Sequence, residues 1–136
     1  MMKKTIIILL SVVAIFLVGF SVWYNIPIDL MSLDHNEVLE IVVFNGNTGK
    51  VTHITDKGEI QHIIDNLNDV ELKRSKPSVG YSGYSFKTTI YLLDGNEADG
   101  WNNFIINSDD RIRKDPFFYT VSKGKIDYDY IESIVE

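Results

Sequence analysis

The chain has 136 residues, 45% of them hydrophobic, with 19 acidic residues against 13 basic ones and no cysteine. That length suits one ordinary domain and not two. The missing cysteine excludes disulfides, thiolate catalysis, Cys-ligated zinc and cysteine lipidation, and a net charge of −6 runs against the basic footprint that nucleic acid or an anionic lipid headgroup requires.

The first element is an uncharged run from Thr5 to Tyr24 behind Lys3 and Lys4. Two readings fit it. A secretory signal has a positive start, an apolar core of roughly 7–15 residues and small residues before the cut; Ile6 to Val18 matches the core, and Gly19 and Ser21 supply the small residues. A membrane anchor needs about 20 apolar residues, and Thr5 to Tyr24 provides them, with Trp23 and Tyr24 where aromatic rings favour the membrane–water interface. The positive-inside tendency keeps Lys3 and Lys4 cytoplasmic. The expectation is a single-pass membrane protein with its C-terminal domain outside, or a secreted domain if the leader is cleaved. The remainder then holds 11 basic against 19 acidic residues.

Residues 25–38, with Pro27, read as a juxtamembrane tether in which Leu30, Met31 and Leu33 can dock on the domain or the membrane surface. An extracytoplasmic domain follows over 39–136. Leu39 to Phe44 is a β-branched and aromatic run and predicts a strand. Asn45 to Gly49, rich in residues that tolerate positive φ, reverses it into a second strand over Lys50 to Ile54. Asp56 caps the next segment, Glu59 stands at capping-box spacing, and Ile60, Ile63, Ile64 and Leu67 form one helical face that ends near Asn66 and Asn68. A short strand over Val70 to Lys73 leads into a loop from Ser75 to Gly80. Tyr84 to Leu93 predicts a long strand, with Phe86, Thr88, Ile90 and Leu92 on one side and Lys87, Thr89 and Tyr91 on the other. After a turn at Asp94-Gly95-Asn96 come a strand over Trp101 to Ile106, a tight turn at Asn107 to Asp110, a strand over Phe117 to Val121, and a helix from about Asp127 to Val135. The order β-β-α-β-β-β-β-α, with short hairpin links, predicts an α+β domain: a mainly antiparallel sheet with two helices on one face.

Candidate chemistry is sparse. His35, His53 and His62 lack zinc-ligand spacing. Asp94 to Gly100 misses the calcium-loop pattern, with Ala98 at an oxygen position and Asp99 where glycine belongs. Asp109, Asp110 and Asp115 are interleaved with Arg111, Arg113 and Lys114, which neutralise them. No serine lies in a nucleophile motif. No catalytic residue, metal site or cofactor is therefore assigned. The segment Gly80-Tyr81-Ser82-Gly83-Tyr84 is different, because tyrosines flanked by glycines suit a recognition surface. With Trp101, Tyr81 and Tyr84 form the candidate binding residues, set against the alternative that these rings simply pack the sheet.

Short motifs at Phe44-Asn45-Gly46-Asn47, Ile54-Thr55-Asp56, Ile63-Ile64-Asp65-Asn66-Leu67-Asn68, Gly80-Tyr81-Ser82-Gly83-Tyr84-Ser85-Phe86, Ile106-Asn107-Ser108-Asp109-Asp110 and Ile126-Asp127-Tyr128-Asp129-Tyr130-Ile131 give the chain a resemblance. It resembles small, uncharacterised, N-terminally anchored extracytoplasmic proteins of Gram-positive bacteria. The resemblance implies location and fold and brings no activity. The expected function is a membrane-tethered binding or interaction module whose partners are the membrane, through the N-terminal helix, and another envelope protein, with no nucleic acid. The alternative is an extracytoplasmic hydrolase acting on cell-wall or peptide substrate.

Overall fold

A computed structural model describes residues 2–83 and 85–136. Its first element is α1 (Met2–Asn25), an apolar helix with mean hydropathy 2.8 and no buried residue. At 1.5 Å per residue it extends about 36 Å, enough to cross roughly 30 Å of hydrocarbon. Leaving this many leucine, isoleucine and valine side chains in water is unfavourable at about 1.5–3 kcal/mol for each large one that could be buried. The helix is thus suited either to a lipid environment or to removal as a signal.

The remaining elements are β1 (Ile28–Asp29), a 3-10 turn (His35–Glu37), β2 (Val38–Asn45), β3 (Val51–Ile54), α2 (Lys57–Asn68), β4 (Glu71–Pro77), β5 (Phe86–Leu92), β6 (Asn103–Ser108), β7 (Arg111–Lys114), β8 (Phe117–Lys123) and α3 (Tyr128–Val135). The strands form one sheet in the order β1-β4-β8-β7-β6-β5-β2-β3, with every neighbouring pair antiparallel. The expected α+β architecture is present.

One face of the sheet carries the core. Val43, Thr88 and Phe104 stand opposite one another across β2, β5 and β6, and Phe86, Ile106, Ile112 and Tyr119 continue the next row across β5 to β8. All are buried. Ile60, Ile63, Ile64 and Leu67 of α2 cover this face together with Ile131 and Val135 of α3, as the 3.6-residue period requires. The helices touch each other where His62 stacks on Tyr130, 3.9 Å between ring centres.

Several boundaries differ from the sequence reading. The segment expected as a tether contributes β1 to the sheet, while Leu30 and Met31, expected to dock on the domain or the membrane surface, are buried in the domain core. Its backbone is bound to α2, because the Asn68 amide accepts from Leu33 N–H and donates to Leu33 C=O. β4 runs on through Ser75 to Pro77, expected as loop, since β8 offers it a partner as far as Phe117 across a bulge. Arg111 to Lys114 forms β7, a strand not expected between the turn at Asn107 to Asp110 and the strand at Phe117; only Ile112 of it is buried, so its apolar signal is minimal. Trp101 precedes β6 rather than starting it.

Candidate functional site

Two connections cross the sheet on opposite sides. β3 and β4 lie near opposite edges, and α2 joins them across the core face. β4 and β5 are separated by three strands, and residues 78–83 lie over the other, open face as a strap, with Ser85 next to the start of β5. The strap is fixed at both ends. Ser78 N–H donates to Pro116 C=O at 2.8 Å, and its hydroxyl donates to Asp115 Oδ1 at 2.5 Å. At the far end Gly46 N–H donates to Ser85 C=O at 2.7 Å. Between these points Gly80 and Gly83 adopt φ of 87° and 89°, a region glycine enters without steric cost.

Beneath the strap, one residue from each of five strands stands in register: Phe44, Lys87, Ile105, Arg113 and Phe118. Tyr81 closes one end, edge-on to Phe118 with ring centres 5.3 Å apart. Lys76 lies over both rings, 4.4 Å from the centre of Tyr81 and 5.2 Å from that of Phe118. A groove of about 450 Å³ opens between Tyr81, Ser82 and Gly83 on one side and Lys87, Asn103, Ile105 and Arg113 on the other. A shallower one of about 330 Å³ continues over Val42, Phe44, Val51 and Thr89, and Lys87 belongs to both.

The charges in the groove are unequal in availability. Arg113 is largely covered and is held by Asp115, with Nε to Oδ1 at 3.0 Å and Nη2 to Oδ2 at 3.4 Å. The Arg113 hydrogen bonds, with that of Ser78, keep the Asp115 carboxyl below its ordinary range. Lys87 is exposed and makes no ion pair among the described residues. Lys114, beside the groove, donates to Gly100 C=O at 2.7 Å, and burial pushes its pKa down.

The expected binding residues do not form one patch. Tyr81 is at the groove, and Tyr84 lies outside the described residues. Trp101 is on the core side, packed against Tyr119 at 5.0 Å and Phe104 at 6.0 Å. Phe118 and Tyr119 are consecutive in β8 and so point to opposite faces, which separates Tyr81 from Trp101. Sequence reasoning missed Lys87 and Arg113 as the floor. Alternation had put Lys87 on the outward side, but without β7 nothing brought Arg113 beside it.

Each histidine is paired with one carboxylate: His35 with Asp65 at 2.9 Å, His53 with Glu40 at 2.9 Å, and His62 with Asp127 at 2.8 Å. Among the described residues no three His, Asp or Glu side chains converge as metal ligands. Asp94 accepts from Asn96 N–H within its own turn, which lowers its pKa. Asp109 pairs with Lys125 rather than with its arginine neighbours.

No family model matches the chain, and comparison with curated proteins and with solved structures gives no match.

Proposed function

We propose that this chain is a binding module without catalytic activity, held outside the cytoplasmic membrane by α1, and that it takes its ligand under the strap. The observation that carries this reading is the groove itself. It combines an exposed cation, Lys87, with a tyrosine ring, an apolar floor at Ile105 and a glycine-bearing cover. Such a mixture of ring, apolar and charged groups is the chemistry of recognition sites. Its sign favours a ligand that presents negative charge beside an apolar or ring surface, such as an acidic segment of another envelope protein.

A photo-crosslinker replacing Tyr81 in intact cells should trap a discrete partner, and Lys87→Glu should abolish the product while leaving the circular dichroism spectrum unchanged. Undiminished crosslinking in Lys87→Glu would remove the groove from the proposal. The hydrolase reading has one observation in its favour, the His62–Asp127 pair stacked on Tyr130, the way a carboxylate orients a general base. No serine hydroxyl bonds to His62 among the described residues. His62→Ala should therefore leave partner capture intact; loss of a measurable hydrolytic activity in that variant would favour the enzyme instead.

A further inference from the structure

The last turn of α1 is built into the domain. The Arg74 guanidinium on β4 lies over the Trp23 ring, 4.0 Å from its centre, and Nη1 donates to Trp23 C=O at 3.0 Å. Trp23 and Tyr24 both stand edge-on to Phe117 of β8, at 6.3 and 5.9 Å. Only Ile26 and Pro27 separate α1 from β1, and β1 is hydrogen-bonded to the same β4 that carries Arg74. A short link and side-chain contacts on two strands therefore join helix and sheet.

The chemistry of that joint is specific. A helix ends in carbonyls with no partner inside the helix, and the negative end of its dipole favours a cation. The last turn of α1 has no basic residue of its own. Arg74, from a point 51 residues further along the chain, supplies the charge and bonds one of those carbonyls. A guanidinium has five N–H donors, and the bond to Trp23 uses one of them. Lys73 and Lys76 flank Arg74 along β4 but lie on the open face, so Arg74 is the cation that β4 presents at this joint, in a chain that as a whole is acidic.

We infer that a phosphate-headgroup lipid surface is the partner of this end of the domain. Trp23, Tyr24 and Phe117 lie at headgroup depth, and Arg74 joins the carbonyl end of α1 to lipid phosphate. The domain is then seated on the outer leaflet at a fixed angle rather than swinging on a tether. Trp and Tyr favour that depth, and Arg suits phosphate geometry. Net charge argued against anionic headgroups as partners, but the charge at the contact decides the matter, because charges beyond about 8–10 Å are screened. This inference rests on α1 being retained as an anchor.

The test uses the full chain in vesicles of phosphatidylethanolamine and phosphatidylglycerol. Since the chain has no cysteine, single spin labels can be placed at Ser75→Cys, beside Arg74, and at Ser122→Cys. Ser122 is five residues along β8 from Phe117, about 17 Å in an extended strand. A paramagnetic headgroup chelate should broaden the first label strongly and the second little. Arg74→Gln should weaken that contrast through a roughly fivefold rise in unseated domains, the scale of one exposed cation–π contact. Trp23→Leu, which leaves the sheet untouched, should do the same if Arg74→Gln fails to fold. Equal broadening at both positions, unaffected by either variant, overturns the seat while leaving the anchor standing. An intact-mass measurement on protein from cells that shows α1 removed overturns the anchor, and the seat with it.

Discussion

Asn66 and Asn68 close the last turn of α2 and pin two distant strands of backbone. Asn66 donates to Lys125 C=O and accepts from Asp127 N–H, while Asn68 does the same for Leu33. In the sequence both read as helix-stop residues, which is their local role; their partners, up to 61 residues away, are invisible without the fold. Gly124 shows the same gap. Its φ is 77°, and an added Cβ would meet Asp69 C=O at 2.6 Å. Gly124→Ala should therefore cost more than the roughly 1–3 kcal/mol of backbone strain alone. Gly95→Ala, with φ 84° and open space around it, should cost the strain only, so the two midpoints in urea unfolding should separate, with Gly124→Ala lower. Asp115 adds a pH effect. Its folded pKa lies below the ordinary 3.8, so its stabilisation is present above that value and is lost as the pH falls through the lowered one. Acid should free Ser78 before the core melts, which amide exchange at Ser78 would reveal as early loss of protection. Simultaneous loss at Ser78 and Ile106 would contradict it.

At the scale of elements, legibility followed apolar periodicity. α2 was readable from its isoleucines and its cap, and Asp56 Oδ1 indeed accepts from Gly58 and Glu59 N–H at 2.9 and 3.0 Å. Asp56→Ala should lower stability by about 1 kcal/mol, measured from denaturant midpoints; no change would mean that the packing of Ile60 and Ile64 alone fixes the helix start. α3 begins at Tyr128 without a side-chain cap bond, because Asp127 is paired with His62 instead. The strands that escaped notice, β1 and β7, have two and four residues. Neither is long enough for alternation to register, and each exists because a neighbouring strand offers hydrogen bonds. The groove was half legible for the same reason: the tyrosine and glycine composition pointed to the strap, but its floor depended on a strand that only pairing could reveal.

Across the whole molecule the charges are sorted by layer. The two helices with their flanking residues carry Asp56, Glu59, Asp65, Asp69, Asp127, Asp129, Glu132 and Glu136 against Lys57. The open face carries Lys73, Lys76, Lys87, Arg111 and Arg113 against Glu40 and Asp115. An overall negative charge therefore conceals a domain with two unlike sides, and on the proposed function this sorting would steer a negatively charged ligand to the strap. Association should slow as salt rises from 50 to 500 mM, with little change in the dissociation rate. An association rate insensitive to salt would mean that the sorting plays no part in capture.

The order of strands also constrains when this protein can fold. β8 is bonded to β4 across 52 residues, as between Lys123 and Glu71, and among the described residues it is the only strand that joins the β1–β4 pair to the rest of the sheet. A chain made from its N-terminus can form the β2–β3 hairpin and α2 early. It must nevertheless hold β4 unpaired on its inner side until β8 has been made. Contacts this distant in sequence are slow to close. For that interval the exposed edge of β4, with Leu72 and no cysteine bridge to restrain it, is the point at which the unfinished chain is open to a chaperone or to aggregation.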